Sequence, residues 1–127
     1  MNGIDTNKKY IEVAKKIKSL EFANFYNSSI EKFTKQKKKF DIVICLGVSH
    51  LYKKFDNLLK NLLALSKKSG TIIVDGFFNQ YDMDLLIFYK DYSVKKFNKK
   101  VEFKNDFNHF SIKRVIEQLK KLKIKKY

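Results

Sequence analysis

The segment Phe40-Asp41-Ile42-Val43-Ile44-Cys45-Leu46 constrains this chain more than any other. It is an almost unbroken apolar run rich in β-branched residues, which favour extended backbone. A run without polar alternation suits a strand covered on both faces of a parallel sheet. Parallel strands need crossover connections, so helices should flank it. They do. From Asn7 to Leu20 the apolar residues Tyr10, Val13, Ala14, Ile17 and Leu20 recur at helical spacing, with Thr6 the expected N-cap. Asp56 to Ser66 turns Leu58, Leu59, Leu62, Leu63 and Leu65 to one side. Lys67-Lys68-Ser69-Gly70 should close that helix, with cations in the last turn and glycine beyond. Thr71 to Val74 reads as the next buried strand. Asn2 to Asp5 reads as a short extended stub ending in a carboxylate, Phe22 to Tyr26 as a strand, and Ile30 to Lys37 as a short helix or turn. The order β-α-β-α-β-α-β predicts an α/β fold on a parallel sheet with right-handed crossovers.

Residues 77–110 break this rhythm. They hold ten of the chain's nineteen aromatic residues without a clean period. Asp84 to Tyr89 leans towards an extended reading. Ser111 then caps an amphipathic helix through Ile112, Val115, Ile116, Leu119 and Leu122, and Lys123 to Tyr127 alternates like the start of a strand. No repeat or linker interrupts the 127 residues, a length that supports one domain with one core.

Charge needs a separate account. With 28 basic and 13 acidic residues the net charge is +15, which by itself suggests nucleic acid or another polyanion. Only Arg114 is arginine, however, and proline and tryptophan are absent. Lys, Asn, Ile, Phe and Tyr dominate, as A/T-rich codons would give on any solvated surface. Nucleic-acid surfaces favour arginine for its bidentate contacts, so the composition argues against a nucleic-acid partner. A non-enzymatic basic α/β binding module for nucleic acid or another polyanion stands as the alternative function. The single cysteine, Cys45, excludes an internal disulfide framework and a multi-cysteine zinc site. No apolar run is long enough to cross a bilayer and Met1 to Lys9 is polar, so the expectation is a cytoplasmic domain with no membrane partner.

Three segments carry a resemblance. Gly3-Ile4-Asp5-Thr6-Asn7-Lys8-Lys9-Tyr10-Ile11-Glu12-Val13-Ala14-Lys15 resembles the second strand and following helix of class I S-adenosylmethionine-dependent methyltransferases. Phe40-Asp41-Ile42-Val43-Ile44-Cys45-Leu46-Gly47-Val48-Ser49-His50-Leu51 resembles their fourth-strand motif. Leu65-Ser66-Lys67-Lys68-Ser69-Gly70-Thr71-Ile72-Ile73-Val74 resembles the helix end and fifth strand, with Lys68-Ser69 in place of the usual Pro-Gly. The resemblance implies a Rossmann-like parallel sheet with flanking helices, residues 1–76 forming the cofactor side and 77–127 the acceptor side and C-terminal helix. It implies S-adenosyl-L-methionine as cofactor and methyl transfer to a small-molecule or sugar hydroxyl.

The resemblance also assigns residues. Asp5 would accept hydrogen bonds from both ribose hydroxyls, as a carboxylate at a strand end can; the alternative is that it only helps cap the next helix. Thr6 would lie against the adenine, and Ser28, Ser29 and Ile30 in the following loop would meet the base. Cys45, Leu46 and Gly47 would lie beside the methionine portion, with the Cys45 side chain read as a small core residue and not a nucleophile. His50 would deprotonate an acceptor hydroxyl, since imidazole titrates near working pH; the alternative is a loop hydrogen bond. His109 is a second candidate. Aromatics mixed with Asn and Asp in Phe77 to Asp84 and Asn105 to Ser111 suit a carbohydrate acceptor, or simply core packing. The family's first, central strand, its glycine-rich loop and its final strands have no counterpart in residues 1–127. The chain is therefore expected to be a fragment, a degenerate remnant or one completed by another chain, to bind the cofactor weakly by itself and to transfer no methyl group at a useful rate.

Overall fold

The computed structural model describes residues 1–92, 103–122 and 124. Asn2–Asp5 forms β1, parallel to β2 (Asn24–Asn27), with Gly3 opposite Phe25 and Asp5 opposite Asn27. The crossover helix α1 spans Lys8–Lys16. Its N-cap is Asn7, not Thr6: Asn7 accepts from the Lys9 amide, while the Asn7 amide donates to Asp5 Oδ1 at 2.6 Å. Two short polar side chains in succession take the orphan donors of this turn, which leaves Thr6 no capping role. The helix is also shorter than its apolar spacing predicts. Ile17 turns extended and Lys18–Leu20 continues as a 3₁₀ turn. Phe22 precedes β2 instead of starting it.

Ser29 caps the short α2 (Ile30–Thr34). β3 spans Phe40–Cys45, α3 Phe55–Leu65 and β4 Ser66–Val74, with β4 parallel to β3. The expected helix closure at Lys67 to Gly70 is corrected here. The chain turns extended at Ser66, and residues 67–70 belong to a bulged stretch of β4, between the pairings Phe40–Ser66 and Ile42–Thr71. Gly70 is required by close approach: a Cβ there would lie 2.5 Å from Ser66 Oγ and 3.0 Å from the Phe40 and Asp41 carbonyl oxygens. Lys67 reaches across to both Asp41 oxygens at 2.9 Å, and this contact holds the Asp41 carboxyl below its usual range.

The element order matches the sequence reading, but the strands pair as β1–β2 and β3–β4 and not as one four-stranded sheet. The two pairs lean on one core. Leu58 and Leu62 of α3 are its most buried members, with Phe33, Val43, Cys45 and Phe110 around them, and Ile4 and Tyr26 pack against it from β1 and β2. Each such side chain contributes about 1.5–3 kcal/mol. The expectation that β3 is covered on both faces is corrected as well. Val43 and Cys45 are buried, whereas Ile42 and Ile44 are 61% and 59% exposed, because α3 and the core cover only one face.

The described residues of 77–92 and 103–122 form short elements. β5 (Phe78–Asn79) pairs in parallel with β8 (Phe110–Ser111), and β6 (Phe88–Lys90) pairs antiparallel with β7 (Phe103–Asn105). Strands of two or three residues are too short to show a period, which explains the irregular sequence there. The extended reading of Asp84 to Tyr89 holds, since Leu85 also bridges His109. α4 (Ile112–Lys121) starts at the expected cap, Ser111 accepting from the Arg114 amide. The strand start expected at Lys123 to Tyr127 falls, apart from Ile124, outside the described residues.

Candidate functional site

The residues singled out from the sequence collect in two places. The first is the carboxyl end of β1 and β2. The β1–β2 register carries Asp5 next to Asn27, and the Asp5 carbonyl accepts from the Ser28 amide at 3.0 Å. Asn27 fixes this end: its Nδ2 donates to the Asp5 carbonyl at 3.0 Å and to the Thr6 carbonyl at 2.8 Å. The sequence reading takes Asn27 only as the start of the turn Asn27-Ser28-Ser29-Ile30, with an ordinary polar turn as the alternative, because an asparagine at a strand end gives no sign of what it holds. Asp5 Oδ1 takes the Asn7 amide, so the capping role is present. A carboxylate has four lone-pair sites, and this one bond leaves Oδ2 for a diol. Ser28 Oγ donates to the Ser29 carbonyl, Ser29 Oγ accepts from the Lys32 amide at the start of α2, and Ile30 leans on the core. Of these side chains, only Asp5 and Thr6 stand clear of the α2 cap and the core.

The second place is the carboxyl end of β3 and β4. Cys45 pairs with Val74, and the Asp75 amide donates to the Cys45 carbonyl at 3.0 Å. The Cys45 thiol faces the core, and burial, then the Asp75 charge, pushes its pKa up. That is the opposite of an activated nucleophile. Leu46 is 62% exposed. Gly47 follows with φ +62°, a left-handed backbone that favours glycine, and its amide donates to Asp75 Oδ1 at 2.7 Å. A Cβ on Gly47 would meet nothing within 4 Å, so the turn borders open space. Asp75 does not stand out in the sequence reading; it directly follows β4, much as Asp5 ends β1, and that near parallel is the available signal.

His50 sits in the 3₁₀ turn Ser49–Leu51 just beyond. Its Nε2 lies 3.6 Å from Asp106 Oδ1, and the two side chains are 19% and 24% exposed. The imidazole stacks on Phe107 at 5.6 Å between centroids and tilts against Phe77 at 5.4 Å; Phe77 in turn stacks on His109 at 5.0 Å. The aromatic stretch after Gly76 and the Asn105 to Ser111 stretch thus meet at His50. Ser49 is fully buried and its Oγ has no hydrogen-bond partner among the described residues; it packs against Gly76, where a Cβ would collide with it. Tyr52 Oη donates to Glu31 Oε1 at 2.7 Å, joining α2 to this turn. The bond holds Glu31 below the usual carboxylate range, while burial pushes the Tyr52 phenol up.

Asp5 Oδ2 is left to accept from a diol such as the ribose of the cofactor implied by the sequence, whereas the Gly47 amide is already given to Asp75. Among the described residues no cluster of His, Cys, Asp and Glu suits a metal ion, and no helix is long and apolar enough to cross a membrane. A family model described as a methyltransferase domain matches residues 1–126. Searches of curated proteins and of solved structures returned no match.

Proposed function

Because this chain belongs to the methyltransferase domain family, which its match over residues 1–126 shows, we propose that it works as an S-adenosylmethionine-dependent methyltransferase with a small hydroxyl-bearing acceptor. The family match is the observation that carries the reading, and a Rossmann-like α/β fold comes with it. The geometry adds support at named positions. Asp5 would hold the ribose hydroxyls through the oxygen that Asn7 leaves unused. Thr6 and the Ser28 to Ile30 turn would border the base, and Leu46 and Gly47 the methionine portion. Cys45 contributes its backbone there, because its side chain belongs to the core.

When bound, the cofactor would supply an electrophilic methyl group on a positively charged sulfur, transferred to the acceptor oxygen as the carbon–sulfur bond breaks and the neutral thioether leaves. The protein's part is positioning and proton removal. His50 would take the acceptor's hydroxyl proton as the oxygen attacks. The aromatic wall of Phe77, Phe107 and His109 would hold the acceptor, and a sugar suits it, since aromatic faces pack against the apolar faces of sugar rings while Asn and Asp take hydroxyls. Residues 1–127 alone would bind the cofactor weakly, because β1 and β3 belong to separate strand pairs and only the shared core, with no strand pairing, would set the separation of Asp5 and Gly47. Small misplacements can cost about 100-fold in rate.

A labelled-methyl transfer assay against a panel of monosaccharides and small phenols tests the reading. Slow transfer that falls at least tenfold in His50→Gln is expected. Transfer unaffected by His50→Gln removes the histidine from the chemistry. No transfer to any hydroxyl acceptor, from protein that binds the cofactor, removes the acceptor class.

A further inference from the structure

The loop Asn105 to Asn108 is fastened far more firmly than an irregular surface turn needs. Asn105 and Asn108 exchange side-chain amide bonds, Asn105 Nδ2 donating to Asn108 Oδ1 at 2.9 Å and Asn108 Nδ2 to Asn105 Oδ1 at 3.0 Å. Asn108 is 0% exposed; its Oδ1 also accepts from the Ile87 amide at 3.1 Å, and its Nδ2 donates to the Tyr52 carbonyl at 2.9 Å. Asn105 Nδ2 reaches the Ile87 carbonyl at 2.8 Å. The Asn108 amide donates to the carbonyl of His50 itself at 3.0 Å. A buried polar network this fully satisfied is rigid and specific. What it presents is Asp106 and Phe107.

Phe107 has φ +57°, a left-handed backbone that costs a bulky residue energy and tends to mark functional turns. In that conformation its ring lies nearly parallel to His50, at 10° between planes. Asp106 Oδ1 accepts from the Phe107 amide at 2.8 Å, which steadies the carboxylate that faces His50 Nε2. The imidazole is thus bounded by two rings, with one nitrogen towards a held carboxylate.

We infer that Asp106 is a positioning residue for His50: it keeps the proton of the neutral imidazole on Nε2, leaves Nδ1 as the base, and faces the positive charge that forms when Nδ1 takes a proton. The catalytic half of this rests on the methyltransferase reading; the positional half does not. At 3.6 Å the pair is slightly longer than a direct hydrogen bond, and the inference requires it to close in the free protein. A carboxylate oriented on a histidine base in this way recurs on unrelated folds.

The test is proton-detected nitrogen NMR of the histidine side chains in the full chain, with His109→Gln to separate the two. Wild type should show His50 protonated on Nε2, with that proton protected from exchange. Asp106→Asn should lose the protection while leaving the backbone amide spectrum in place, and Asp106→Glu should restore part of it. An unprotected Nε2 proton in wild type overturns the inference without any variant. So does protection equal in wild type and Asp106→Asn. If the protected proton is found but no methyl transfer occurs, the catalytic reading of His50 fails and its positioning by Asp106 stands.

Discussion

Asn108 carries more of the site's rigidity than any charged group. All four of its amide bonds are made inside the protein, to Ile87, Tyr52 and Asn105. Asn108→Ala would leave the Ile87 amide and Tyr52 carbonyl unpaired and open a small void. A cost of about 3 kcal/mol is expected, read as a lower urea midpoint with unchanged slope. A loss below about 1 kcal/mol would mean that the network is not what fastens the loop. At this scale the sequence was legible where function demands an unusual residue in an ordinary place. His50 and Gly47 after β3, and Asp5 at the end of β1, stand out through the resemblance to the methyltransferases, whereas spacing alone leaves Asp5 an equally good helix cap. Asn27, Asp75, Asp106 and Asn108 do not stand out, because their roles depend on partners 20 to 60 positions away along the chain. Thr6 was taken for a cap because Asn7, one place on, has the same capping chemistry.

α3, α4, β1 and β3 lie within a residue or two of the segments read from spacing. β5, β7 and β8 do not read as strands, since two or three residues cannot carry a period of two, and β6 is met only by the end of the extended reading of Asp84 to Tyr89. The Lys67 to Gly70 stretch misled for a clearer reason: a basic run ending in glycine is also a helix stop, and only the carbonyls of Phe40 and Asp41 crowding Gly70 explain the glycine. Between elements, the Tyr52–Glu31 bond joins α2 to the His50 turn and gives a pH signature. Its depressed carboxyl is a stabilising contribution, complete above the unfolded value of 4.5 and lost as pH falls through the lower folded value. Tyr52→Phe should therefore be less stable than wild type near neutral pH, by under about 1.5 kcal/mol because Glu31 is largely solvated. That difference should vanish in acid. Parallel stability curves for the two proteins from neutral pH to strong acid would contradict the assignment.

Among the described residues the buried apolar side chains form one main cluster, and apolar residues stand exposed outside it. Ile42, Ile44, Leu46 and Ile73 leave β3 and β4 apolar towards solvent, and Tyr10, Val13 and Ile17 do the same on the flank of α1. An exposed apolar surface of this extent is unusual for a free-standing domain. The fold should accordingly bind the dye ANS while keeping cooperative unfolding, and Ile44→Lys should reduce the fluorescence with a stability change within roughly 0.5 kcal/mol. Fluorescence unchanged by that substitution would mean that the face is covered in solution. The sequence foresaw two covered faces for β3 because its composition is that of a strand buried on both. What it could not show is that α3 and the core cover one face only.

The account stands on Asp5 and Gly47 serving one cofactor from two strand pairs, and an amide NMR titration with S-adenosylhomocysteine tests that directly. The expected result is a set of shifts at Asp5, Thr6, Ser28 to Ile30, Leu46 and Gly47 that titrate together, with half-saturation in roughly the millimolar range. Shifts at only one strand pair, at other residues, or at none would contradict it.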